Sequence, residues 1–150
     1  MQNTHNLKPL ANALVDLIGL LNSPRRDEAL LREAGVDLDR ALFPLLVALG
    51  ARGPLAVAQI ADLVGRDHTT VSRQLAKLES LDLIARQESD HDRRSRSACL
   101  MPGGKDIVRK IAAARRRLLS KVLVDWSEAE RAALSHQLRR FADALRQAAR

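Results

Sequence analysis

A chain of 150 residues with 46% apolar side chains is long enough for one compact domain with an extended arm, and its net charge of +7 suggests an anionic partner. Only Phe43, Phe141 and Trp126 are aromatic, so Leu, Ala, Val and Ile must do the packing, which favours helices. Charge breaks every apolar run well before the ~18 residues of a membrane span, "MQNTHNLKPL" lacks the order of a secretion signal, and a lone Cys99 excludes an internal disulfide, so a cytoplasmic protein with no membrane partner is expected.

Leu7, Leu10, Leu14, Ile18 and Leu21 recur in steps of three and four, which predicts a first helix with Asn6 as its N-cap and Pro9 in the tolerant first turn. "NSPRRDEALLREAG" reads as a break at Ser23-Pro24 followed by a short helix or ordered loop. A helix then runs from about Asp39 to Arg52, in which Pro44 is either a kink or the true start. After a turn at Gly53-Pro54, "AVAQIADLVG" is a short helix with Val57, Ile60, Ala61 and Val64 inward and Gly65 as its stop. Asp67 caps "HTTVSRQLAKLESL", which keeps Val71, Leu75 and Leu78 on one side. "LIARQE" and "SACLM" are short strands flanking a long, charged tip, a β-hairpin. Two helices complete the chain. The first repeats Ile107, Ile111, Ala114 and Leu118; the second repeats Leu134, Leu138, Phe141, Leu145 and Ala148, opened by a capping box from Ser127 to Glu130.

A short helix, a tight turn, a second helix and a hairpin make a winged helix-turn-helix. The fold class is therefore mainly α with a small β-hairpin wing. The terminal apolar stripes at Leu7–Leu21 and Leu134–Ala148 are more than one such domain can readily cover, which makes the N- and C-terminal helices the expected dimerisation helices. The boundaries are 1–36 for the N-terminal helix and connector, 37–104 for the winged domain, and 105–150 for the C-terminal helices. Bulk charge says little about DNA. Residues 1–53 hold six basic and six acidic side chains, residues 54–104 seven of each, and the whole excess lies in 105–150, with twelve against five.

Individual placement says more. With Val71 at the centre of the buried side of the second helix, Thr69, Arg73, Ala76 and Ser80 face outward, flanked by Thr70, Ser72 and Lys77. Such a face, opened by Asp67 and His68, suits a major groove, where hydroxyls and an arginine fork reach phosphates and base edges. The plain alternative is an amphipathic helix with a solvated face. The stretch "SDHDRRSRSACL" tips the balance, because an arginine-rich projection directly after that helix suits the narrow, negative minor groove. Arg94 is the expected minor-groove residue, Asp92 accepts from its guanidinium and sets its direction, and Arg93 and Arg96 support on phosphates. Metal binding is not expected, since the histidines are scattered and Cys99 has no partner. No Gly-rich phosphate loop or nucleophile elbow is present, so neither a cofactor nor an enzyme is expected.

The run from Leu55 to Gly104, "LAVAQIADLVGRDHTTVSRQLAKLESLDLIARQESDHDRRSRSACLMPGG", resembles the MarR family of bacterial transcription regulators. The match lies in a "TVSR"-like reading helix followed by a wing with Asp-x-Arg, here Asp92-Arg93-Arg94. Two departures are visible: Asp82 where the family usually has Gly after the reading helix, and Leu100-Met101 where it has Leu-Thr, so Pro102 starts the next helix instead. The resemblance implies a homodimer with interlocked terminal helices, usually a repressor, binding double-stranded DNA at an inverted repeat. It also implies a small-molecule effector, often an aromatic acid, although no residue here names that ligand. The alternative function is a winged-helix protein-interaction module without specific DNA binding.

Overall fold

Proline and glycine set several of the helix boundaries. In the computed structural model residues 6–89 and 92–150 are described, with all their side chains except those of residues 89 and 92–95. Helix α1 spans Leu7–Leu21, as its apolar repeat predicts, although the Asn6 side chain makes no capping bond. Helix α2 (Pro24–Ala34) begins on its proline and ends at Gly35, whose φ of 66° is the left-handed stop that glycine adopts freely. Helix α3 is Phe43–Arg52, so Pro44 marks its start and causes no kink. The first turn of a helix has unpaired N–H groups anyway, and a proline there sacrifices no bond. Residues 39–42 form a turn instead, with the Asp39 carboxylate accepting from Ala41 N at 2.9 Å and the Asp39 carbonyl from Leu42 N at 2.9 Å.

Strand β1 is only Leu55–Ala56, and α4 (Val57–Val64) follows at once, ending at Gly65 with φ 68°. Helix α5, His68–Ser80, is the expected reading helix. Strands β2 (Ile84–Ser89) and β3 (Asp92–Leu100) pair antiparallel, and β1 adds to the other side of β3, giving the order β1-β3-β2. Helices α6 (Pro102–Val122) and α7 (Glu128–Ala148) complete the described elements.

One expectation about the wing is corrected. The second strand does not begin near Ser97; it begins at Asp92, so the charged stretch is mostly strand, with Ser89 opposite Asp92 and a register shift between Glu88 and Ser89. Polar residues on both faces hide such a strand from an alternation test, because the ladder uses only backbone groups. The two-residue β1 was not anticipated either.

The chain forms two compact units, Met1–Arg115 and Arg116–Arg150. The core of the first is built from Leu45, Leu46 and Leu49 of α3, Ile60 of α4, Val71, Leu75 and Leu78 of α5, and Ile84 and Ala98 of the sheet. At roughly 1.5–3 kcal/mol for each large side chain removed from water, this cluster is what fixes α5 against the sheet. Asp82 follows α5 with a φ of 58°, the left-handed conformation that the departure from Gly implies. Met101 N then donates to the Leu83 carbonyl at 3.0 Å, and α6 begins on Pro102 as expected.

In the second unit the Ser127 hydroxyl accepts from Glu130 N at 3.1 Å while the Glu130 carboxylate accepts from Ser127 N at 2.9 Å, the predicted capping box. These bonds hold the Glu130 carboxyl below its ordinary pKa, that from the Ser127 backbone most. The Arg131 guanidinium donates twice to the Leu123 carbonyl, at 2.7 and 3.2 Å. No residue of α1 or of α7 is buried within this chain. No described helix is long and apolar enough to cross a membrane.

Candidate nucleic-acid interface

The reading helix owes its starting point to Asp67. One carboxylate oxygen accepts from Thr70 N at 2.8 Å and the other from the Thr70 hydroxyl at 2.7 Å. The hydroxyl bond, then the amide bond, lowers the Asp67 pKa, and the nearby Arg73 charge adds to the effect. The Thr70 hydroxyl, read from the sequence as DNA-facing, gives its proton to Asp67 and keeps its oxygen lone pairs as acceptors. The pH consequence has a definite sign. A carboxyl whose folded pKa is depressed contributes stability above its ordinary value of 3.8 and loses it as pH falls through the lowered folded value. The protection factor of the Thr70 amide, its exchange rate taken relative to the intrinsic rate at each pH, should therefore fall on acidification through that window, and Asp67→Asn should flatten the response. Amide exchange followed by NMR from pH 5 to about 2 checks this.

Beyond the cap, Val71, Leu75 and Leu78 turn into the core, which leaves Thr69, Arg73, Ala76, Lys77 and Ser80 exposed on the opposite side. His68, the first residue of α5, is also exposed, and Ser72 is half-buried. The predicted helix residues are thus brought together on one element with their expected orientation. Arg96 on β3 is exposed and described; Asp90 and His91 lie outside the described residues, as do the side chains of Asp92, Arg93 and Arg94.

A residue that sequence reasoning missed completes the surface. Arg86 on β2 stands in register with Ala98, and Glu88 with Arg96, so the two arginines share the sheet face turned toward α5. They line one groove with Ser72, Ala76, Glu79 and Ser80, and a second with His68, Ser72 and residues 56–58. Ser72, Arg86 and Arg96 belong to both, so the grooves are continuous between the reading helix and the wing. The Arg86 Nε is buried and has no hydrogen-bond partner among the described residues. That nitrogen is closed to solvent, so what Arg86 and Arg96 bring to the groove is their positive charge, which favours an anion. The only available hint was the break in apolar character within "LIARQE".

Helix, left-handed glycine turn, second helix and three-stranded wing together define a winged helix-turn-helix protein. The MarR family model matches residues 36–95, from just ahead of α3 into β3. The uncharacterized HTH-type transcriptional regulator YxaD of Bacillus subtilis (strain 168) is 30% identical over 105 residues, which cover 70% of this chain and 73% of that protein. The chain belongs to the MarR family of transcriptional regulators. Among solved structures, a MarR family protein from Bacillus stearothermophilus is similar with a TM-score of 0.79 at 21% identity, covering 97% of this chain and 99% of that one. RV1404 from Mycobacterium tuberculosis is similar with a TM-score of 0.72 at 25% identity, covering 96% and 95%.

Proposed function

We propose that the protein is a cytoplasmic, homodimeric, non-enzymatic repressor that binds an inverted-repeat DNA operator and is released by a small-molecule effector. The observation that carries the reading is the juxtaposition of the exposed Thr69 and Arg73 on α5 with the groove holding Arg86 and Arg96. The helix face suits the base edges and phosphates of a major groove, with His68, Thr69, Ser72 and Arg73 in contact and Lys77 further along. Asp67 and Thr70 serve by fixing the helix start. On the wing, Arg94 held by Asp92 reaches the minor groove, while Arg93 and Arg96 meet phosphates; the sequence pattern supports these three roles.

Residues 37–104 are the DNA-binding segment in this proposal, and residues 1–36 and 105–150 supply the dimer surface. Support comes from apolar side chains that their own unit leaves uncovered: Leu10, Leu17, Ile18 and Leu21 on α1, each at least 45% exposed, and separately Leu138 and Leu145 on α7, 49% and 53% exposed. Stripes of that size are ordinarily covered by a partner. For an effector, a cavity of about 690 Å³ lies among α3, β2, β3 and the first turns of α6, apolar at Leu49, Pro54 and Val108 and basic at Lys105 and Arg109. That volume suits a small ligand, and Lys105 suits an acid, with Arg109 nearby already bonded to the Asp106 carboxylate at 3.1 Å.

Selection of bound duplexes from random DNA tests the function. An inverted repeat with half-site centres roughly 10 base pairs apart is expected, at one dimer per site. Sedimentation of the intact chain in dilute solution should show a dimer, and deletion of residues 1–22 should cause aggregation or unfolding. A well-behaved monomer would overturn the dimer, and the absence of any salt-dependent DNA binding would leave the winged domain as a protein-interaction module.

A further inference from the structure

Arg66 lies in the turn between α4 and the reading helix, a place where an arginine is naturally taken for a phosphate contact. Its guanidinium points inward instead. The same nitrogen, Nη1, donates to the Ala41 carbonyl at 2.5 Å and to the Gln74 side-chain oxygen at 2.8 Å, and both bonds are partly buried. Ala41 is 25 positions away in sequence and sits in the turn ahead of α3; Gln74 is on α5 beside Arg73. Each end of this bridge is anchored. Ala41 is held by the Asp39 carboxylate through its own N–H. The Arg66 amide donates to the Ala61 carbonyl at 3.0 Å, which ties the arginine to the end of α4.

We propose that Arg66 is a positioning residue, a clamp that holds the middle of the reading helix to the turn preceding α3 and so sets the direction in which Arg73 points. This rests on the DNA-binding reading for its consequence but not for its existence. Nη1 carries two hydrogens and meets two acceptors, so its donor capacity is filled. Both acceptors are neutral oxygens, which makes the bonds charge-assisted without forming an ion pair. A surface carboxylate partner would be screened by salt; two partly buried amide oxygens are not.

The clamp predicts effects that a phosphate contact does not. Arg66→Met keeps much of the stem and removes the donor; Gln74→Met removes one acceptor; Gln74→Glu keeps an acceptor. In the DNA-free full-length protein, amide exchange across α5 should rise about tenfold in Arg66→Met and less in Gln74→Met. The double variant should be no worse than Arg66→Met, because one linkage is being broken twice. Gln74→Glu should retain protection. With the selected operator at two salt concentrations, Arg66→Met should weaken binding by about three- to tenfold with the salt slope unchanged, and random DNA should be bound as before. Unchanged exchange, or additive effects in the double variant, would overturn the clamp. A salt slope shallower by about one would show that Arg66 meets a phosphate instead. Should the wild-type protein bind no DNA, the exchange measurements still decide the clamp, while the function proposed above fails separately.

Discussion

Arg73→Ala should lower affinity for the best operator by about ten- to a hundredfold, equivalent to ~1–3 kcal/mol, and lower affinity for random DNA much less. The cause is geometric. Arg73 lies on the exposed side of α5, opposite Val71 and Leu75, both of which have no exposed surface, so the core behind it and the Arg66 bridge together set its direction. A planar guanidinium held that way can distinguish a guanine edge from other bases. Arg94→Ala should weaken both kinds of DNA more evenly and make the salt slope shallower by about one counterion. Asp92→Ala should imitate a partial loss of Arg94, although simple charge counting predicts the opposite. Titrations of the three variants at two salt concentrations separate these roles; tighter binding by Asp92→Ala would mean that Asp92 does not orient Arg94.

Gly104→Ala should destabilise the fold by about 3 kcal/mol, at the upper end of what overpacking costs. Gly104 is buried where α6 passes over the turn after the reading helix. A Cβ there would collide with the Leu83 carbonyl and come within 3.2 Å of the Leu100 Cδ2. Backbone cannot step aside as a side-chain tip can, so α6 would have to lift from the sheet. Gly103 provides the contrast. Its Cβ would press on the flexible Leu83 Cδ2 at 3.3 Å and make ordinary contact with the Asp82 carbonyl at 3.8 Å, and alanine favours a helix over glycine by roughly 1 kcal/mol, so Gly103→Ala should be close to neutral. Denaturant unfolding at fixed protein concentration compares the two. Equal midpoints would show that α6 tolerates displacement.

Where local chemistry decides the structure, the residues announced it. Asp67 capped α5 and Ser127 with Glu130 opened α7, whereas Pro44 left two readings open, of which the start of α3 is the one the structure has. The spacing of Val71, Leu75 and Leu78 identified the buried side of the reading helix, and with it the exposed position of Arg73. What escaped depends on partners distant in sequence. A two-residue β1 has no periodicity to detect, and it exists only because Leu55 lies opposite Ala98. The charged start of β3 is polar throughout, so backbone pairing there leaves no pattern in the side chains. Arg86 looked like an ordinary strand residue, since the groove it lines is closed by α5 and Arg96. Arg66 gave no sign of facing inward, because its first acceptor is a backbone oxygen, which every residue possesses.

The Asp67 cap also determines which anions this face will refuse. The start of a helix, with its unpaired amides and positive dipole end, is a natural seat for a phosphate. At α5 one part of that seat is taken by the protein's own carboxylate, which accepts from both the amide and the hydroxyl of Thr70. An incoming phosphodiester would have to displace a tethered competitor of the same charge, present at a far higher effective concentration than any free ligand. Under the proposed function, phosphate contacts would therefore rest more on the side chains along the flank of α5, where Arg86 and Arg96 line the groove beside Ser72.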